Sequence, residues 1–286
     1  MHLAFERELD LDRAPVLRAH VIDGRAVLPM ALTLEWMAHA ALHGHPGWTF
    51  HGCDGLRIFH PATIRDGETV RIQAMASRAS GRGGDQRVTV ELHGPRAGGR
   101  STTFSRAEIL LGSTPLADGE ARLEIPRLAP LALDPDDVYQ RVLFHGPELR
   151  GIERIIGSGS EGIEIVAQTA PPPGHWLDQP LRGQWLTDPL VLDCAFQAMS
   201  VWCHAERGAV SLPSTLGRYR QFRRFPTGTV TIRCRVTATR GQIVVADVEF
   251  RDPAGEVVAR ISNFECVLDP SLNQAFRRNR LEPAGV

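Results

Sequence analysis

Two segments far apart in the chain hold residue types that can work as one acid–base pair. His20, Gly24 and Pro29 fall in a short stretch that leads into an apolar helical pattern, and Asp193 and Gln197 lie inside a later one. A neutral imidazole is available as a base near pH 7. A carboxyl among apolar neighbours keeps its proton, because burial disfavours the charged form. A group that removes one proton beside a group that delivers another meets the requirement for expelling water from a β-hydroxy carbonyl compound.

The neighbours of the pair fit that chemistry. Leu190, Leu192, Ala195 and Phe196 surround Asp193 with apolar side chains, so the acid is costly there without a purpose. Gln197 sits one helical turn on, where it can hydrogen-bond the carboxyl and fix its direction. The helix opening at Pro29 offers unpaired N–H groups and a partial positive charge for a developing oxyanion. Gly24 lets the turn before it bring backbone close to a substrate. A lone histidine before a turn is more often structural. The pairing with Asp193 favours the catalytic reading.

Those side chains need elements to hold them. Residues 17–26 suit a strand and a turn. Helical spacing of Met30, Leu34, Met37, Ala38 and Ala41 predicts a helix from Pro29 to about Leu42, with Pro29 at its first position. Strand patterns follow at 69–77, 87–93 and 102–111. Residues 112–135 carry Pro115, Pro126, Pro130 and Pro135 and read as a surface linker. The order then repeats: strands at 143–156 and 162–169, a proline-rich loop at 171–183, a helix at 189–205, and strands at 218–225, 230–238, 242–251 and 257–268. The last residues, from 271, are polar and Arg-rich and read as a frayed tail. One helix followed by antiparallel strands, twice over, implies two sheets, each wrapped around its own helix and joined edge to edge.

Composition narrows the class. The chain has 286 residues, 43% of them hydrophobic, and a formal net charge of −1. That is enough to bury a substantial core, with no basic surplus for nucleic acid or a membrane surface. All 32 basic residues are arginine. The five cysteines form no CxxC pair, which argues against a disulfide framework or a zinc knuckle. No apolar run reaches membrane length and no charged-then-apolar leader opens the chain, so a reduced cytoplasmic setting is expected. His39, His43, His45 and His51 lack metal-ligand spacing with an acid or a thiol and read as surface residues. Residues 157–160, Gly-Ser-Gly-Ser, join two strands and precede no helix, so they are not a phosphate loop.

The chain resembles the dehydratase domains of polyketide and polyunsaturated fatty-acid synthases. Four motifs match in order. HxxxGxxxxP appears as His20, Gly24 and Pro29. GYxYGPxF appears in altered form around His145, Gly146 and Pro147, with His145 in place of tyrosine. DxxxQ/H appears as Asp193 and Gln197, and LPxxL begins at Leu212 and Pro213. The resemblance implies an α+β double-hotdog fold, with an N-terminal hotdog at 1–112, a linker at 113–135, a C-terminal hotdog at 136–270 and a disordered tail at 271–286. It implies His20 as base and Asp193 as acid, supported by Gln197. Gly24, Pro29, His145, Gly146, Pro147, Leu212 and Pro213 are the expected substrate-binding residues. The implied reaction is dehydration of a 3-hydroxyacyl thioester, with no metal and no bound cofactor. The substrate would ride on the phosphopantetheine arm of an acyl carrier protein, with neighbouring synthase domains as further partners. Arg218, Arg220, Arg223 and Arg224 form a candidate surface for that acidic carrier, and a free sheet edge leaves room for a homodimer. Two alternatives stay open: a hotdog isomerase or thioesterase, and a scaffold that has lost its chemistry.

Overall fold

The computed structural model describes residues 1–81, 84–95, 101–118 and 121–282. In the first half, β1 (His2–Leu9) is followed by a 3-10 turn (Pro15–Ala19), the short strands β2 (Val21–Ile22) and β3 (Arg25–Val27), and helix α1 (Met30–His43). After α1 come β4 (Thr49–Ile58), β5 (Thr63–Ile64), β6 (Val70–Ala76), β7 (Asp85–Pro95) and β8 (Ser101–Gly112). The second half contains α2 (Pro135–Arg141), β9 (Ile152–Gly159), β10 (Gly162–Gln168), α3 (Pro189–Arg207), β11 (Ser211–Gln221), β12 (Thr229–Arg240), β13 (Ile243–Arg251), β14 (Val257–Leu268) and α4 (Leu272–Ala275).

Eleven of these strands form one antiparallel sheet in the order β1-β6-β7-β8-β4-β11-β14-β13-β12-β10-β9. The halves meet where β4 pairs with β11, Leu56 opposite Leu216 and Cys53 opposite Tyr219. This seam hides two edges that would otherwise be open to other chains. At the seam Gly52 has φ +142°, and a Cβ there would lie 2.0 Å from the Tyr219 carbonyl oxygen. Only glycine permits that approach.

Each half wraps its part of the sheet around a helix. α1 is buried on all sides from Met30 to Leu42, so its sequence shows little one-sided polarity. Pro29 precedes α1 as its N-cap, with φ −60° and ψ 145°, one position earlier than its ring suggested. α3 begins with Asp188, whose carboxylate accepts the N–H groups of Leu190 and Val191. It ends at Gly208 in the left-handed conformation.

Four sequence expectations need correction. β1 and β4 lie where the pattern predicts no strand; Gly52, Asp54 and Gly55 disguise β4 as a loop. Residues 143–151 are not strand but a loop with a 3-10 turn at Pro147–Leu149, in which Leu143, Phe144, His145 and Leu149 are buried. The linker is partly anchored: Ala129 bridges Ser158, and the Leu123 N–H donates to the buried Glu249 carboxylate. The tail is ordered as far as it is described. After α4, Phe276 is buried, Arg278 pairs with Asp23, and the Glu282 N–H donates to Gly24 O. Residues 283–286 of the expected tail lie outside the described residues.

Candidate active site

His20 follows the Pro15–Ala19 turn and opens a hairpin in which Ile22 pairs with Arg25. The two residues between, Asp23 and Gly24, have φ +50° and +77°. That geometry is the tight turn whose twist suits a hairpin. Two backbone-directed bonds hold His20. The Val27 N–H donates to His20 O at 2.9 Å, and His20 Nδ1 lies 2.8 Å from Val27 O. An Nδ1–H donating to that carbonyl leaves the Nε2 lone pair free.

Asp193 comes from α3 in the other half. The start of α3 is tied to α1 by Glu35, a fully buried carboxylate that accepts the N–H groups of Leu186 and Thr187 at 2.8 Å. Gln197 Nε2 donates to Asp193 Oδ2 at 2.7 Å and to Leu149 O at 2.9 Å. The Tyr139 hydroxyl donates to Gln197 Oε1 at 2.8 Å and accepts the Ile152 N–H at 2.9 Å. A chain of buried hydrogen bonds therefore runs from α2 to the acid.

His145 completes the site. Its Nε2 lies 3.2 Å from Asp193 Oδ2. Its ring stacks on Phe144 with centroids 4.0 Å apart, and the His20 ring lies 5.3 Å away. One ligand-capable atom from each of His20, His145 and Asp193 falls within 4.8 Å of the others. Gly146 explains how the loop gets there. Its N–H donates to Ala19 O at 2.8 Å, and a Cβ on it would lie 2.8 Å from Ala19 Cα. The Gly-Pro segment thus pins the His145 loop against the residue before His20.

All three groups line one cavity of about 490 Å³. Leu212 and Pro213 line it as well. Gly24, Pro29, Gly146 and Pro147, the other expected substrate-binding residues, do not. Gly24 forms the hairpin turn and faces Glu282, Pro29 caps α1, Gly146 packs on Ala19, and Pro147 opens a 3-10 turn. The arginine group is also displaced. Arg220 pairs with Asp54, Arg223 with Glu256, and Arg224 with Gln184, and none of the four lines the cavity. His39 and His51, expected at the surface, are buried, His39 against Glu35.

The electrostatics differ from the sequence expectation at the acid. Burial drives the His20 imidazole down to about 4; the nearby His145 adds to this, and the Asp193 charge opposes it. Burial alone would raise Asp193, as expected. The hydrogen bond and charge of His145, with His20 and Gln197, outweigh it and hold the carboxyl below its ordinary value. Asp193 is therefore an ionised partner of His145 and not an isolated neutral acid. Sequence reasoning also missed Tyr139, Phe144 and Phe276. Phe276 arrives from the tail, lines the cavity and meets Phe144 edge-on at 4.5 Å. None of the three falls at a fixed position of a motif.

A sheet curled around two helices, with a histidine from one half facing a carboxylate from the other, is a double hotdog with an acid–base centre. Residues 117–271 match the family model described as polyketide synthase dehydratase N-terminal domain, and residues 1–95 match polyketide synthase dehydratase domain. The chain belongs to the polyketide synthase dehydratase family. A polyunsaturated fatty acid synthase polypeptide of Thraustochytrium sp. is 30% identical over 230 residues, which is 78% of this chain and 8% of that protein. The chain thus spans a small part of that relative. Among solved structures, the dehydratase domain from the CurF module of curacin polyketide synthase superposes with a TM-score of 0.72 at 17% identity, covering 93% of each chain. The dehydratase domain of PpsC from Mycobacterium tuberculosis, in complex with C12:1-CoA, gives 0.64 at 21% identity, again covering 93% of each. A trans-acyltransferase polyketide synthase enoyl-isomerase gives 0.65 at 14% identity, covering 91% of this chain and 98% of its own. Among the described residues no helix is long and apolar enough to cross a membrane.

Proposed function

We propose that this chain dehydrates a 3-hydroxyacyl thioester to the α,β-unsaturated thioester, with the substrate held on the phosphopantetheine arm of an acyl carrier protein. The observation that carries the reading is the convergence of His20, His145 and Asp193, from opposite halves, on the wall of one largely apolar cavity. His20 Nε2 takes the proton next to the thioester carbonyl. Its depressed basicity keeps it neutral at physiological pH. The acid is the His145–Asp193 pair in its protonated form, imidazolium beside carboxylate: the Nε2 proton passes to the departing hydroxyl, which leaves as water, and a neutral imidazole remains beside Asp193. Negative charge grows on the thioester oxygen as the α-proton leaves. The N–H groups of α1 that precede Thr33, whose own N–H donates to Pro29 O, suit that charge, and Met30 lines the cavity there.

The arm enters at the exposed rim formed by Asp23, Arg25, His60 and Pro61. Arg25, which lines the cavity mouth, replaces the four outer arginines as the candidate cation for an incoming acidic carrier. The reaction needs no redox or bound cofactor, because only protons and water move. The remaining partners are neighbouring domains of a synthase, and a cytoplasmic setting follows from that role. A second copy pairing along an outer sheet edge remains part of the reading.

A synthetic 3-hydroxyacyl thioester tests the reaction. Product lighter by one water is expected, lost in His20→Ala and Asp193→Asn. Free acid instead would make the chain a thioesterase. The likeness to an enoyl-isomerase keeps one alternative in view, since the same pair can move a double bond. A 2-enoyl thioester converted to its 3-enoyl isomer faster than the hydroxy substrate is consumed would favour that outcome. No reaction with any of these thioesters would leave a scaffold.

A further inference from the structure

We propose that His20, His145 and Asp193 form a binding site for a divalent transition-metal ion of the zinc class, and that the bound ion switches the acid–base centre off. The donor set is two imidazoles and a carboxylate, which zinc accepts readily, with the fourth position left to the cavity. The geometry is close to what the ion requires. Ligand atoms about 2.0–2.1 Å from a tetrahedral zinc stand roughly 3.3–3.4 Å from one another. His145 Nε2 and Asp193 Oδ2 are already 3.2 Å apart. All three ligand atoms lie within 4.8 Å of one another, so a modest inward turn of His20 closes the triangle.

The surroundings resemble those of ligating side chains. A metal-bound histidine commonly gives its other ring N–H to a carbonyl, which fixes the ring and the tautomer. His20 Nδ1 has that partner in Val27 O at 2.8 Å. A ligating carboxylate is itself hydrogen-bonded, and Gln197, held in turn by Tyr139, does this for Asp193. His145 is oriented by its stack on Phe144 instead, since its buried Nδ1 has no hydrogen-bond partner. All three ligands are buried yet line the open cavity, so the ion has a route in.

Two other clusters offer less. Glu35 spends its oxygens on His39, Leu186 and Thr187. Cys203 and Cys266, 4.0 Å apart, have no third ligand among the described residues. The site depends on His145, which stands where the family motif carries tyrosine. A tyrosine at this position would remove one of the two nitrogen ligands.

The blocking step rests on the proposed dehydration. Ligation occupies the lone pair of His20, and the Nε2 proton of His145 is released to solvent as the ion binds, so neither proton transfer can occur. Untagged protein is titrated with Co²⁺, followed by its visible absorption, and with Zn²⁺ by calorimetry. One ion per chain is expected, with a tetrahedral-type cobalt spectrum. Gln197→Ala should weaken binding about 10–100-fold. His145→Phe and His20→Ala should abolish the spectrum while circular dichroism stays native. Asp193→Asn, nearly isosteric, serves if either of those fails to fold. Equal binding in wild type and His145→Phe would place the ion on surface histidines and end the proposal, as would no saturable binding at all. Zn²⁺ should also stop dehydration, reversibly with a chelator. Tight binding without inhibition overturns the switch but not the site. Tight binding by a protein with no dehydratase activity refutes the proposed function and leaves the site standing.

Discussion

Tyr139→Phe is the sharpest probe of how the acid is held. The change removes one oxygen that makes two buried hydrogen bonds, to Gln197 Oε1 at 2.8 Å and from the Ile152 N–H at 2.9 Å. Tyr139, Ile152 and Gln197 are 5%, 4% and 1% exposed, so water cannot replace the lost partner. Each group left unsatisfied costs about 1–3 kcal/mol. Loss of the hydroxyl's own desolvation offsets part of this, leaving a destabilisation of about 3 kcal/mol. At about 2 °C per kcal/mol for a chain of this size, the melting temperature should fall by about 6 °C. The rate carries the functional message. With Oε1 released, the Gln197 amide is held only by its two Nε2 bonds, to Asp193 Oδ2 and Leu149 O, so the hydrogen bond that aims the acid loosens. A kcat about tenfold lower with KM nearly unchanged is expected, equal to about 1.4 kcal/mol in the transition state. Thermal melts and steady-state assays on one preparation measure both. A variant that melts early yet keeps the wild-type kcat would show that the chain from α2 only supports the fold.

Other expectations follow from the same geometry. The buried His20 titrates near 4, so the acid limb of kcat/KM should lie well below that of a free imidazole; a limb near pH 6.5 would contradict the burial argument. The unfolded chain protonates this group first, so its contribution to stability is complete above about pH 6.5 and is lost as pH falls toward 4. The loss amounts to about 3 kcal/mol in urea titrations. Gly146→Ala places a methyl 2.8 Å from Ala19 Cα and should push the His145 loop away from His20, costing about 1–3 kcal/mol and most of the activity. Retained activity would mean that the two segments move independently. Phe276→Ala leaves the Phe144 ring without its edge-on neighbour and opens the cavity wall. A stability loss of about 3–5 kcal/mol and a lower kcat are expected, and unchanged melting would mean the tail does not brace the site.

Much of this was legible in local pattern. α1 and α3 announced themselves by apolar spacing, and Asp193 and Gln197 were readable as one helical face because a turn of helix fixes their separation. A strand and a turn around His20 and Gly24 were visible for a similar reason, since a tight turn is a local event; the structure made it a two-residue hairpin. β4 and α2 were obscured, the first by its glycines and Asp54 and the second by its place at the end of a proline-rich stretch. Both derive their stability from neighbours across the fold.

What only the tertiary structure decided was the state of the acid and the make-up of its pocket wall. Apolar neighbours along α3 argue for a protonated Asp193, because sequence shows the helix and not what lies across from it. The fold places His145 3.2 Å away, and a charge partner at that range outweighs burial. Phe276 and Tyr139 reached the site by the same route, from a segment that reads as a ragged end and a short helix just past the linker for which the pattern gives no element. Sequence determines side-chain chemistry and local periodicity; it does not determine distance between segments far apart in the chain, and pKa and pocket shape depend on distance.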